Sequence, residues 1–530
     1  MRTRVLLLAL ALLGVYARTW NFDFVAYDDP AFVTRNPQVA QGLGAEGLRW
    51  SASAVVAANW HPLTLLSHML DVELFGVAPG PAHWVNAGLH LVNALLVFAL
   101  LRSASGLAGP SLAVAALFAL HPIQVEAVAW ISQRKTLLAG CFSLQATLVW
   151  LGFARGGRRS CYAGALLLFA AALASKPTAV AWPALWLLLD AWPLARWRAA
   201  RDLPRLALEK LPFFALAAAL GWITLAVQSA SGAVAADHGL ALAPRALGAA
   251  LAYAGTLRRL VWPADLAVHY PHPYLPAAGG EAPPLWQPLL ASLLLVALTL
   301  AALRSLRTPL AVGWLWFAGL LLPTCGLVQV GTQALADRHA YLPSVGVFAA
   351  LVFPLAAWAR TSQLRARWLS RAGLVACALL GALSFHQLRH WYGSEALYRR
   401  AIQVSPRDAA MRFNLANAYL AQKRHAAAIG EYRQALAVDA SLLEARVNLA
   451  IALQGLGQTG PAIRELRRAL ERHPESPAVH LNLGNALLAI GRVDEAIAHF
   501  ERTLELEPGA RLAARALARA RSLPRPGAPP

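Results

Sequence analysis

Residues 18 to 37, RTWNFDFVAYDDPAFVTRNP, hold two adjacent acids, Asp28 and Asp29, among Trp20, Phe24, Tyr27 and Phe32. They directly follow the first long apolar run of the chain. Carboxylates kept beside a membrane span carry a desolvation cost, so their presence points to a role. The alternative is a solvated turn signalled by Asp29-Pro30. As a pair they suit transfer chemistry. One carboxylate takes a proton from an attacking hydroxyl, and the second stabilises an oxocarbenium-like carbon. Asp28 is the candidate base and Asp29 its partner or an orienter of the loop, with the reverse order left open. A leaving group that departs as an anion is held by cations. Arg338 (in ALADRH) is the first candidate, because a guanidinium offers two parallel donors. Its alternatives are an ion pair with Asp337 or snorkelling. Arg134 and Lys135 (in ISQRK) come next, then Lys176 before Pro177, where snorkelling is the stronger reading.

Five histidines, His61, His68, His83, His90 and His121, invite a metal reading. They are spread over separate segments, and His83 and His90 lie two turns apart on one helix, too far for a shared ion without other ligands. Helix packing and interfacial hydrogen bonding are favoured, and no metal is assigned. Four cysteines, Cys141, Cys161, Cys325 and Cys377, lie in or beside separate apolar runs and read as buried hydrophobes.

These residues must be positioned by membrane helices. The chain has 530 residues, 58% of them hydrophobic and only 14% charged, with a mean hydropathy of +0.48. A soluble domain carries about 25% charged residues. The net charge of +20 sits in short clusters between apolar runs, which argues for membrane loops and against nucleic acid as partner. Eleven runs can span: 3–18, 83–102, 110–130, 137–154, 161–176, 178–194, 211–228, 286–303, 309–325, 340–359 and 371–389. The first, after Arg2 and Arg4, resembles a signal peptide but is read as an uncleaved anchor.

Charge sets the orientation. With the N-terminus inside, the short inner segments carry 17 Lys and Arg, against 11 in the much longer outer ones up to residue 389. A span at 244–262 would break that pattern. Residues 229–285 are therefore placed wholly outside, with 244–262 at the interface or re-entering and His269 to Pro276 as an ordered loop. Residues 19–82 form another outer loop. Asp28, Asp29, Asp337 and Arg338 then share one face of the membrane.

From residue 391 the pattern becomes polar and Ala-rich. Asn414-Leu415, Asn448-Leu449 and Asn482-Leu483 recur at a spacing of 34, as do Tyr432, Leu466 and Phe500. This is the tetratricopeptide period. Residues 391–523 are read as a half repeat with Tyr398, Ala401 and Pro406, about three full repeats and a capping helix, followed by a disordered tail at 524–530. Such solenoids commonly bind polypeptides in a concave groove. The fold class is all-α: a polytopic bundle over 1–390, then an α-solenoid.

The assembled motifs resemble the transmembrane and tetratricopeptide-repeat-containing O-mannosyltransferases, in particular their bacterial relatives. The matching stretches are FVAYDDPAFVTRNP (24–37), NWHPLTLLSHMLD (59–71), HWVNAGLHLVNALLVF (83–98), HPIQVEAVAWISQRKTLLAG (121–140), SKPTAVAWPALWLLLDAWPL (175–194), LVWPADLAVHYPHP (260–273) and ADRHAYLPSVG (336–346). The resemblance implies a glycosyltransferase of fold type C with a polyprenyl-phosphate-linked sugar as donor, and Asp28 and Asp29 match the family's catalytic acids. It implies mannose as the sugar, Ser or Thr of exported proteins as acceptor, and repeats that bind that acceptor. No cofactor is implied, although some fold relatives use a divalent ion with their acids. In a bacterium the active face and the repeats would lie in the periplasm; in eukaryotic relatives that face is the endoplasmic reticulum lumen. Two alternatives are a glycan or lipid acceptor on the same fold, and a non-enzymatic membrane anchor for the repeats.

Overall fold

The computed structural model describes residues 1–232 and 240–523. The expected tail at 524–530 lies outside the described residues, as does 233–239 of the outer loop. The chain divides into two compact units, one of Met1–Leu275 with Glu281–Arg400, the other of Pro276–Gly280 with the chain from Ala401 onward.

The first unit is almost entirely helical, and each of the eleven apolar runs carries helix. By length and hydropathy alone six helices can cross a membrane: Arg2–Asn21, Pro79–Ser105, Ile131–Gly156, Leu211–Ala230, Trp286–Arg304 and Gln363–Trp391. Shorter apolar helices occupy Arg159–Ser175, Pro309–Thr324 and Pro343–Ala359. Leucines such as Leu289, Leu293, Leu374 and Leu379 face outward, a surface suited to lipid and costly in water. The helix Leu242–Val261 is not among the candidate spans. Two helices meet at glycine: a Cβ on Gly313 would lie 2.4 Å from the Gly346 carbonyl oxygen, and the reverse holds for Gly346. Such contacts let membrane helices pack backbone to backbone.

Prolines interrupt two of the runs and end a third. The run expected at 110–130 bends by 54° between Ala108–Leu120 and Pro122–Ala129. A residue before proline avoids the helical region, and His121 is extended there, its Nδ1 accepting from the Ile123 N–H at 3.1 Å. The short helix after the bend carries Glu126. The helix Arg159–Ser175 stops at Lys176, extended before Pro177. The run expected at 178–194 is accordingly a turn at Pro177–Ala181 and a helix at Trp182–Ala191. A turn of helix at Pro30–Thr34 starts with proline and fixes the exit from the acid pair.

The loop at 19–82 is ordered. Its Phe32, Val33, Val39, Val56, Leu65 and Met69 form a hydrophobic cluster with Ile131. Just ahead of the acids, Ala26 is held at both backbone groups: its N–H donates to Ser394 Oγ at 2.8 Å and its carbonyl accepts from Tyr398 Oη at 2.6 Å. The expected half repeat thus supports the acid loop through Tyr398. An addition to the all-α expectation is a two-stranded antiparallel pairing of Tyr270–Pro271 with Gln333–Leu335. It ties the loop at His269–Pro276 to the segment that carries Arg338.

In the second unit, helices pair as Ala409–Ala421 with His425–Val438, Leu443–Gly455 with Thr459–Arg472, and Pro477–Ala489 with Val493–Leu506, followed by Arg511–Arg521. The 34-residue period has a physical cause. Tyr432, Leu466 and Phe500 are fully buried, and the small residues Ala416, Ala450 and Gly484 recur at the same spacing. A Cβ on Gly484 would come within 2.6 Å of the Phe500 ring. The ion pairs Arg412–Glu431 at 2.9 Å and Arg446–Glu465 at 3.0 Å repeat at the same spacing.

Candidate functional site

The adjacent acids point to different places. Asp29 is 1% exposed. Its Oδ2 accepts from the Val25 N–H at 2.9 Å, and its Oδ1 accepts from the Ser132 N–H at 3.0 Å and from Ser132 Oγ. Burial pushes this carboxyl up to about 6 against those donors, so it is mostly ionised at neutral pH. Asp29 therefore ties the loop to the start of the helix at Arg134–Gly156. Asp28 keeps 29% of its side chain exposed and lines a cavity of about 790 Å³.

That cavity gathers three cations. Lys135 Nζ is 3.1 Å from Asp28 Oδ2 and 4.5 Å over the Phe32 ring. Lys176 lines the wall and donates to Thr136 Oγ1 at 2.9 Å. Arg338 lines the same wall. Its guanidinium pairs with Glu126 Oε1 at 2.5 Å and lies 5.3 Å over the Trp130 ring, and the Arg338 backbone N–H donates to Glu126 Oε2 at 2.7 Å. The rest of the wall mixes apolar side chains, among them Phe214, Ala217, Trp222, Val328 and Val330, with polar ones such as Asn59, Gln228 and Gln329.

Two sequence expectations change. Arg338 pairs with Glu126 and not with Asp337, which instead accepts from Tyr270 Oη at 2.9 Å and lies 3.8 Å from Arg259. Arg134 does not reach the cavity. Its side chain is fully buried and bonds Asp71 at 2.7 Å, Ser67 at 2.8 Å, the Ala82 carbonyl at 3.0 Å and Asn86. It staples three helices because a buried guanidinium must find partners. Lys135, one residue on, points about 100° away around the helix and into the cavity.

Sequence reasoning missed Glu126, the signal being the proline four residues before it. It also passed over His61, which lines the cavity. Other histidines pack as expected: His90 bonds Tyr341 Oη at 2.8 Å and the Ala119 carbonyl at 3.1 Å, and His121 Nε2 bonds the Leu260 carbonyl at 3.0 Å. Among the described residues no three His, Cys, Asp or Glu cluster as a metal site.

A tetratricopeptide-repeat family model matches residues 379–441 and 447–511. Protein O-mannosyl-transferase TMTC1 of Mus musculus is 32% identical over 158 residues, 28% of this chain and 16% of that protein. Protein O-mannosyl-transferase TMTC4 of Homo sapiens is 24% identical over 482 residues, 78% of this chain and 63% of that protein. The chain spans 16% to 20% of the length of the first curated relatives it matches. Among solved structures, the first TPR of Spaghetti (RPAP3), bound to an HSP90 peptide, is 25% identical with a TM-score of 0.21, covering 21% of this chain and 90% of that one. The family resemblance carried by the motifs is borne out: the chain is a membrane protein similar to the protein O-mannosyl-transferases, with tetratricopeptide repeats in its C-terminal part.

Proposed function

We propose that the first unit is a glycosyltransferase that moves a hexose, mannose by similarity to its relatives, from a polyprenyl phosphate to a Ser or Thr hydroxyl of an exported polypeptide. The observation that carries this reading is one accessible carboxylate, Asp28, sharing a cavity with Lys135, Lys176 and Arg338. In the reaction Asp28 takes the proton of the acceptor hydroxyl, whose oxygen attacks the anomeric carbon. The bond from that carbon to the phosphate oxygen breaks, and the lipid phosphate leaves with the electron pair. Lys176 and Arg338 receive the phosphate charge. Lys135 restrains Asp28 and shares that work. Asp29 holds the loop, and Glu126 aims the Arg338 guanidinium. No general acid is needed for so good a leaving group.

The repeats are proposed to bind the acceptor. The test incubates purified full-length protein with labelled polyprenyl phosphate mannose and a Ser/Thr-rich unfolded polypeptide. Label on polypeptide hydroxyls is expected. Removal of 401–523 should slow that transfer while leaving donor binding intact. Label found only on glycan or lipid would overturn the polypeptide acceptor, and no transfer at all would overturn the enzyme reading.

The active face is proposed to be the outer one, periplasmic in a bacterium. The charge bias predicts that reporter fusions after residues 200, 280 and 420 read inside, outside and outside. A fusion after 280 that reads inside would overturn the placement of Leu242–Val261 at the outer interface and the orientation of the cavity.

A further inference from the structure

A strained turn delivers one more side chain to the cavity. Ala57 and Ala58 both adopt the left-handed conformation, with φ of 47° and 59°, which is costly for residues with a Cβ. The turn is closed by the Val56 N–H to the Asn59 carbonyl at 2.9 Å and the reciprocal bond at 3.0 Å. Val56 is anchored in the hydrophobic cluster. The residues that follow bring His61 to the cavity wall, 3% exposed. Neither of its ring nitrogens has a hydrogen-bond partner among the described residues. Buried polar groups left without partners are costly, so a turn that strains the backbone to create one calls for a ligand.

The ring is held in place. It stacks on Phe32 with centroids 6.4 Å apart and planes within 20°. Lys135 lies over the same Phe32 ring and bonds Asp28. Burial, with Lys135 and Lys176 nearby, holds the imidazole well below the usual histidine range. A neutral imidazole offers one donor and one acceptor. A phosphate oxygen accepts only, and the cations already serve it. A hydroxyl both gives and takes, and the hydroxyls closest to a lipid phosphate are those of the sugar bonded to it.

We propose that His61 reads the sugar, its imidazole hydrogen-bonding a hydroxyl of the hexose carried on the lipid phosphate while the cations hold the phosphate. This rests on the glycosyl-transfer reading, but its test does not require turnover. The purified full-length protein is titrated with polyprenyl phosphate mannose and with bare polyprenyl phosphate. The wild type should bind the mannosylated lipid more tightly. His61→Phe keeps a ring on Phe32 and removes both nitrogens. It should erase about tenfold of that preference, the worth of roughly one hydrogen bond, and leave the affinity for bare lipid phosphate unchanged. His61→Gln, with a donor and an acceptor, should retain part of the preference. An unchanged preference in His61→Phe, or no preference in the wild type, would overturn the assignment. If His61→Phe weakens both lipids because packing fails, His61→Gln decides, and an equal loss for both lipids there refutes it. A wild type that prefers the mannosylated lipid yet transfers nothing would defeat the transferase reading and leave His61 as a sugar-binding residue.

Discussion

Asp28→Asn lowers sugar transfer by roughly 10²–10⁴-fold, the usual worth of a positioned general base, with donor binding little changed. The amide keeps the shape of the side chain but cannot take a proton. It also releases Lys135, now 3.1 Å from the carboxylate, to the phosphate, so donor binding should not weaken. The measurement is transfer from polyprenyl phosphate mannose at matched protein levels, with donor binding as the control. Asp29→Asn separates the two acids. Its amide would set a donor against the Ser132 N–H or the Val25 N–H, so it should also lower thermal stability, whereas Asp28→Asn should not. Full activity of the double variant would end the catalytic reading.

Why the two acids divide in this way was not legible in the sequence. Their rarity beside a membrane span made the pair visible, and so did their aromatic setting. Their directions depend on contacts distant in the chain: Ser132 captures one acid and Lys135 the other. The same holds for Arg134 and Lys135. As neighbours they share composition, charge and side of the membrane, yet one helical step sends one into the protein and the other into the cavity. Glu126 was hidden for a different reason. It lies within an apolar run that reads as a span, and only Pro122 hints that the run is broken and that its far end serves the site. His61 read as a packing residue because nothing in NWHP announces a left-handed turn at two alanines.

The helices themselves were readable. Hydrophobic runs and the 34-residue period are properties of single segments, and the elements follow them closely. The run at 178–194 was harder, because apolar content does not reveal where Pro177 and Pro183 leave a helix only ten residues long. The pairing of Tyr270–Pro271 with Gln333–Leu335 is set by tertiary contact between segments too short to carry a strand pattern.

Asp71→Ala destabilises the first unit by about 3–5 kcal/mol, the penalty for leaving a buried charge without its partner. Arg134 is wholly enclosed, and Asp71 is its only ion-pair partner among the described residues. Arg134→Lys should also destabilise, since an ammonium cannot reach Asp71, Ser67, Asn86 and the Ala82 carbonyl from one position. Replacing both ends, as Asp71→Leu with Arg134→Met, should recover part of the loss, because no charge is then stranded. Thermal unfolding and protease resistance in detergent measure these effects. Bare polyprenyl phosphate binding by the folded fraction supplies the second readout. A staple predicts unchanged affinity in that fraction, as Arg134 is walled off from the cavity. If Arg134→Lys instead keeps its stability and loses affinity for the lipid phosphate, the guanidinium reaches the donor after all, and the division of labour between Arg134 and Lys135 falls with it.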